Sequence, residues 1–411
     1  METLIIDRTT MMIGGVEVYF AALMEYALST ERRVIWLTTR SQVEESAFSI
    51  TASDKIEKAF VKRTFFGPIY PRINVSEDEE VILITTDPCR YILSDVYRDR
   101  LKCKSFVHLL ILPHFKGPGY YPENIFRNIK VKAYWHKKMS LLASSLVGSD
   151  CVRGFSIEHL IAYEKAYDVI IKDKEKKALP RVNRILPIRY DEISSREHLR
   201  CQYFEIITCS RFDFPHKGYL IGLIKEFAKI HEKHPITKLT IVGYGAGKPE
   251  IEKVIESLPK AAIDSIDLVG ELSPEELINK YRRAHLNVGV AGALKKGAEC
   301  GLPSIKMKHY TYCCDGFGFI EDTQGLNPDC AAKNMREIIE SVITMPADEY
   351  IQHSLAAYDA AVGDLCPDPD YIFRQNSVSS SLALPVTMLQ GRILFGARLF
   401  LHKVLRRSLF E

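Results

Sequence analysis

Short apolar runs and longer stretches with helical spacing alternate along the chain. METLIID (1–7), RRVIWLTT (32–39), Val81–Thr85 and Ser105–Leu109 each read as a strand buried on both faces. Between the first two lies TTMMIGGVEVYFAALMEYAL, where Val16, Phe20, Leu23, Met24 and Ala27 recur at the spacing of one helical stripe. A longer helix is predicted over Val131–Ala143, and SSLVGSD (144–150) reads as a short strand and turn. Strand, helix and strand in repeated succession predict a parallel sheet covered by helices on both faces.

From Tyr167 the chain becomes charged and punctuated by proline, which puts a domain junction near Pro187 to Gln202. A fresh series then begins. Strands are predicted at Phe204–Thr208, Leu239–Val242, Ile266–Val269, in LNVGV (286–290) and after Pro303, with helices at Leu220–His231 and Pro249–Ser257. Ser273, Pro274, Glu275 and Glu276 mark another helix start, and Gly301 stops the helix that precedes Pro303. The expected domains are 1–188 and 189–345, followed by returning helices over 346–376 and a linker and tail over 377–411. In the tail, Arg392, Lys403, Arg406 and Arg407 share one helical sector, into which Phe395 and Leu399 intrude. A basic, hydrophobic helix of this kind suits an anionic membrane surface; the other reading is a terminal helix docked on the protein.

Composition narrows the classes. At 46% hydrophobic and 26% charged residues, the chain is that of a soluble globular protein. A net charge of +3, without an aromatic RNA-binding signature, argues against a nucleic-acid partner. Ten cysteines include no CxxC pair, so neither a zinc site nor a disulfide framework is expected and a reducing cytoplasm suits the chain. No signal peptide and no eighteen-residue apolar run is visible, so the expected place is the cytoplasm or its membrane face.

The densest chemistry lies between Cys209 and Gly247. Arg211 and Lys217 follow a buried strand, Gly218 opens a helix, and the next strand ends at Gly243 and Gly245. Two cations and a helix N-terminus at parallel strand ends suit a dianionic phosphate; the plainer reading is two solvated surface charges. Near the amino terminus, Gly14 and Gly15 occupy a strand-to-helix turn where a ligand can approach backbone N–H groups. The segment LPHFKGPGYYPENIF follows a strand, and its His114, Lys116, Tyr120 and Tyr121, with His108 just before, are acceptor-side candidates. His108 reads equally as a packed strand residue.

Taken in order, GGVE, SRF…HKG, L-T-IVG-YG, VGEL-SPEEL and G-GLPSI resemble the GT-B glycosyltransferases of the family 4-like kind. The resemblance covers most of the chain and leaves out the tail. It implies two Rossmann-like doubly wound α/β domains facing across a cleft. It implies that Arg211 and Lys217 clamp the diphosphate of a nucleotide-sugar donor, although the loop between them is one residue longer than usual. Gly14, Gly15, Gly218, Gly243 and Gly245 then line the donor, and no metal or other cofactor is needed. The family's two glutamates, with seven residues between them, fall on Val288 and Lys296. Glu299, one turn beyond Lys296, either takes over ribose binding or pairs with Lys296; Lys296 itself can place positive charge near the donor phosphates.

The expected function is therefore transfer of a sugar from a nucleotide diphosphate to a saccharide or lipid-linked acceptor. The resemblance adds retention of configuration and a role in exopolysaccharide or lipopolysaccharide biosynthesis. Arg211 and Lys217 would stabilise the leaving diphosphate, and His114 or His108 would orient the acceptor. The missing acidic pair leaves a second reading, a GT-B-fold binding partner of an active transferase, and a third, a GT-B epimerase acting on the nucleotide sugar.

Overall fold

The computed structural model describes residues 2–8, 11, 15–44, 49–64, 67–86, 92–94, 103–110, 129–155, 157–179, 187–194, 203–323, 331–363, 369–373 and 387–393. Two compact units emerge, Met1–Asn183 with Cys366–Glu411, and Arg184–Leu365.

The first unit contains β1 (Glu2–Asp7), β2 (Arg33–Thr38), β3 (Ile56–Phe60), β4 (Lys62–Thr64), β5 (Gly67–Ile69), β6 (Glu80–Thr85), β7 (Cys103–Leu110) and β8 (Val152–Gly154). Its main sheet runs β3-β2-β1-β6-β7-β8, and β4 pairs separately with β5. Every pairing in the main sheet is parallel. That order is a doubly wound Rossmann sheet whose winding reverses between β1 and β6. Alternate residues of β1 serve two cores. Leu4 and Ile6 pack with Phe20, Leu23 and Met24 of the helix Gly15–Ser29, whereas Ile5 joins the layer of Trp135, Met139 and Leu142. Burial on both faces is why β1 and β2 read as unbroken apolar runs.

β3 gave no such signal, because it is an edge strand that mixes buried and exposed residues without a regular period. One expectation is corrected. SSLVGSD is not a strand: the helix Ile129–Gly148 continues through it, since Leu142 and Leu146 extend the buried stripe of Trp135 and Met139. The strand comes later, at β8, after Asp150 takes a left-handed turn with φ 57°.

The second unit contains β9 (Phe204–Cys209), β10 (Thr237–Val242), β11 (Ile266–Val269), β12 (Leu286–Gly289), β13 (Ser304–Met307), β14 (Asp315–Phe319) and β15 (Lys333–Asn334). The order is β11-β10-β9-β12-β13-β14-β15. Strands β9 to β13 pair in parallel, and β14 and β15 then add an antiparallel edge. The winding reverses between β9 and β12, so ligands are expected at the carboxyl ends of these two strands.

Helix Tyr219–Lys233 buries Leu220, Leu223, Ile224, Phe227 and Ile230 against this sheet. Helix Pro274–Arg283 begins where the sequence indicates. The Ser273 hydroxyl accepts from the Glu276 amide at 3.3 Å, and the Glu276 carboxylate accepts from the Ser273 amide at 2.9 Å. Ala357, Ala360 and Ala361 of helix Ala347–Val362 pack on Leu294 and Ala298 of helix Ala291–Glu299. Beyond it the chain rejoins the first unit at Pro369–Ile372. There Ile372 and Phe373 enter the core with Phe20, and the Arg32 guanidinium lies 4.1 Å over the Phe373 ring.

Candidate functional site

At the carboxyl end of β9 the chain leaves the sheet as a loop that is laced to the end of β10. The Ser210 amide donates to Val242 O at 3.0 Å and the Phe212 amide to Tyr244 O at 2.7 Å. Gly247 N donates back to Phe212 O at 2.9 Å. Phe212 is buried beneath this lacing, and Tyr219 shares a hydrogen bond of 3.2 Å with Thr208 below it.

The glycines after β10 are explained by this contact. A Cβ on Gly243 would lie 1.9 Å from Ser210 O, and one on Gly245 would lie 2.7 Å from Phe212 O, with φ at 143°. Their missing side chains admit the loop that carries Arg211. Gly243→Ala must push that loop aside, at a cost of about 1–3 kcal/mol typical of overpacking. A thermal melt and a phosphate-ligand titration of the variant should both move, in the direction of lower stability and weaker binding.

The loop presents two cations. Arg211 is exposed and Lys217 is half-buried. Burial pushes the Lys217 ammonium down to about 8; Arg211 lowers it further, and Asp213 partly opposes the shift. A desolvated cation held beside a second cation is a site short of negative charge.

The helix start at Gly218 contributes less than the sequence suggests. Lys217 N donates to Asp213 O at 2.8 Å, Gly218 N to Pro215 O at 3.1 Å, and Leu220 N to Lys217 O at 3.1 Å. These amides are occupied within the loop, so its side-chain charge remains as the attraction for an anion. An uncapped helix start lies instead on the other side of the reversal point. β12 passes into helix Ala291–Glu299 through Val290 alone, with no side-chain cap. Ala291 is exposed and left-handed at φ 50°, and nothing lies within 4 Å of a Cβ placed on Gly292. Small residues there leave the first turn open to an approaching group. The glycine turn AGA was visible in the sequence, though its lack of a cap was not.

Val288, where an acidic residue was sought, is fully buried in the core of β12. Lys296 Nζ lies 2.5 Å from Glu299 Oε2, and the Glu299 side chain has no exposure. Of the two readings for Glu299, the ion pair is the one the geometry displays. Lys296 keeps 29% of its side chain exposed.

A third strand end also meets this loop, and its residues were missed in the sequence. The chain after β13 turns back towards β14, and Tyr310 N donates to His216 O at 3.2 Å. His216 stacks with both His309, at 4.8 Å, and Tyr310, at 4.9 Å, and Phe214 lies 6.1 Å from Tyr312. Tyr310 and Tyr312 are 39% and 45% exposed. The run HYTY just after a strand was the available signal.

In the first unit, the carboxyl ends of β1 and β6 hold a buried carboxylate. Tyr70 donates to Asp7 at 3.1 and 3.2 Å, and the Thr85 hydroxyl donates to it at 3.2 Å. Arg8 pairs with Glu17 at 2.6 Å, which ties β1 to the helix that begins at Gly15. Gly14 lies outside the described residues, as do His114, Lys116, Tyr120 and Tyr121. His108 lies in β7, in register with Thr85 on β6 and Val152 on β8. The linker and tail residues 377–386 and 394–411 are also outside the described set.

Two doubly wound parallel sheets in one chain, each with its polar residues at the reversal point, define the GT-B class of fold. Among solved structures, a glycosyltransferase from Rickettsia africae is similar over 91% of this chain and 96% of its own, with a TM-score of 0.56 and 14% identity. Anabaena HepE, crystallised with UDP and glucose, is similar over 90% and 97%, with a TM-score of 0.54 and 14% identity. WaaG, a glycosyltransferase involved in lipopolysaccharide biosynthesis, is similar over 95% and 99%, with a TM-score of 0.50 and 12% identity. At identities this low the likeness shows the fold alone. No family model and no curated protein sequence matches the chain.

Proposed function

We propose that this protein is a glycosyltransferase that moves a sugar from a nucleotide diphosphate sugar to a saccharide or lipid-linked acceptor. The observation that carries the reading is the pairing of Arg211 with a desolvated Lys217 at the carboxyl end of β9. As the glycosidic bond to the donor breaks, negative charge accumulates on the departing diphosphate. Cations already held in place, one of them partly desolvated, stabilise that charge with little reorganisation at the moment of reaction. In this reading no metal is required, because Arg211 and Lys217 supply the cationic charge and Lys296 supports them.

Gly218, Gly243 and Gly245 shape the donor side of the second unit, with Gly14 and Gly15 its counterparts in the first. His114 positions the acceptor with help from His108, Tyr120 and Tyr121. Retention of configuration, a place in cell-surface polysaccharide synthesis and a cytoplasmic location belong to the same proposal. The resemblance of the sequence supports retention, the cysteine pattern suits the cytoplasm, and the likeness to WaaG, a glycosyltransferase involved in lipopolysaccharide biosynthesis, supports the cell-surface role alone.

A screen of nucleoside diphosphates and their sugars by thermal shift tests the donor site, since a ligand bound only by the folded state raises the melting temperature. A set of upward shifts confined to one base identifies the donor. A flat profile across the screen rejects the site. Binding should also weaken with alkaline pH. Lys217 is charged below about 8 in the free protein, and a bound diphosphate favours that charged form. Affinity is therefore steady at pH 7 and falls as pH rises through 8, by up to about tenfold per unit for one linked proton. UDP is a suitable probe because its terminal phosphate, with a second ionisation near 6 (about the value for phosphoryl groups), does not titrate in that window.

The second reading is a GT-B-fold partner that binds a nucleotide sugar without turning it over. Buried Val288 and the Lys296–Glu299 pair favour it, because neither position offers a free acid to the donor. Nucleotide-sugar binding without product, together with a co-purifying transferase, distinguishes this partner from the enzyme. An isomeric nucleotide sugar formed without acceptor points to an epimerase.

A further inference from the structure

The turn between β13 and β14 is pressed onto the start of helix Tyr219–Lys233. A Cβ on Gly218 would lie 2.6 Å from Thr311 O, and one on Gly222, a turn further along, would overlap the Cys313 carbonyl carbon. Two missing side chains on one helix face therefore admit the backbone of this turn. Its ends are tied down as well: Lys308 N donates to Asp315 O at 2.9 Å, and Met335 N to Cys314 O at 2.8 Å. A surface turn held this closely presents its side chains in fixed positions.

What it presents is aromatic. Tyr310 and Tyr312 are both exposed. The Tyr310 ring lies 27° from parallel with His216, and Tyr312 leans on Phe214. Tyr310 also holds a left-handed backbone at φ 57°, which a residue with a bulky side chain adopts only under strain. Core packing does not account for that strain, because Tyr310 is exposed. A ring held at the surface by a strained, anchored backbone is a platform for a ligand.

The groups around the rings select the ligand. Asp213, with 58% of its side chain exposed, lies 3.9 Å from His216. Burial raises the Tyr310 phenol and Asp213 raises it further; burial and Glu250 do the same to Tyr312. Both carboxylates are therefore close to the rings. An ionised carboxylate only accepts hydrogen bonds, so the matching ligand is rich in hydroxyl donors. A pyranose fits: its hydroxyls lie around its rim, and its C–H faces are apolar and pack on an aromatic ring. A nucleobase can stack too, but it offers fewer donors. Asp213 acts on Lys217 as well as on Tyr310, so the platform adjoins the cation pair.

We propose that Tyr310 and Tyr312, with Asp213 beside them, form a subsite for one pyranose ring of a neutral saccharide, the acceptor of the transfer. That a saccharide binds here stands on the platform itself. Its role as acceptor rests on the transferase reading given above.

The test is saturation-transfer NMR on the full chain with the methyl α- and β-pyranosides of glucose, galactose, mannose, rhamnose and N-acetylglucosamine. UDP affinity is measured in parallel. At least one glycoside should bind, with saturation strongest at the C–H protons of one ring face. Tyr312→Ala should weaken that binding about fivefold or more, the effect expected for a lost aromatic contact, and Tyr312→Phe should keep it. Tyr310→Asn removes the ring but tolerates the left-handed backbone, so it should weaken binding similarly at an unchanged melting temperature. UDP affinity should stay at the parental value in all three variants. Absence of binding by every glycoside, or parental binding by both Tyr312→Ala and Tyr310→Asn, overturns the proposal. So does loss of UDP affinity with unchanged glycoside binding, which would make the rings a platform for the base. Glycoside binding by a protein that binds no nucleotide would uphold the subsite and reject the transferase reading; nucleotide binding without glycoside binding would do the reverse.

Discussion

Lys217→Ala should leave about one hundredth to one thousandth of the parent turnover, the usual consequence of deleting one preorganised donor from a site of developing negative charge. The fold should survive, because Lys217 sits in a loop beyond the end of β9 and its ammonium makes no bond on which the core depends. Nucleoside diphosphate affinity should fall too, by about ten- to one-hundred-fold for a lost hydrogen bond to a charged group. Lys217→Arg distinguishes charge from fit: it restores binding of the diphosphate if charge dominates, while turnover recovers only as far as the bulkier group fits. Parental turnover in Lys217→Ala would remove Lys217 from the chemistry altogether.

The second large effect is expected at Phe212, a residue that touches no ligand in this account. Its side chain is buried under the loop that holds Arg211, and its backbone bonds to both Tyr244 and Gly247. Phe212→Ala removes that support and should destabilise the second unit by about 3–5 kcal/mol. Denaturant unfolding measures the loss directly. Nucleotide binding under native conditions should weaken even where the variant remains folded, since Arg211 loses its fixed position. Phe212→Leu, which keeps much of the volume, should recover most of both. A variant with lower stability and unchanged nucleotide affinity would show that the loop does not need this buttress.

Much of the fold could be read from the chain because its central strands are buried on both faces. Ile5 and Ile6 serve opposite layers, so METLIID leaves little ambiguity, and the same holds for Phe204–Cys209. β3 escaped because an edge strand mixes exposed and buried positions. The antiparallel end of the second sheet also escaped, since the glycine-rich β14 carries little strand pattern.

The candidate site was legible to the same extent. Arg211 and Lys217 stand out because fixed cations follow a buried strand. Tyr310 and Tyr312 did not, since only the reversal between β13 and β14 brings them to His216 and Phe214. Nor could spacing show that the Lys217 and Gly218 amides are already hydrogen-bonded within the loop, or that Glu299 is fully enclosed beside Lys296. Each depends on where a loop folds back, which local pattern does not encode. The two glycines after β10 show the complementary case. Their presence was plain, but their immediate reason is the approach of Ser210 and Phe212.

The central claim is that the Arg211–Lys217 pair binds the diphosphate of a sugar donor and assists its departure. The most direct measurement is nucleoside diphosphate release, with mass analysis of the sugar product, for the parent and Lys217→Ala across nucleotide sugars and saccharide or lipid-linked acceptors. Acceptor-dependent release with one donor, a new glycoside of matching mass, and loss of nearly all of both in the variant are expected. Absence of release from every donor by a parent protein that binds them, or equal release by the variant, would contradict it.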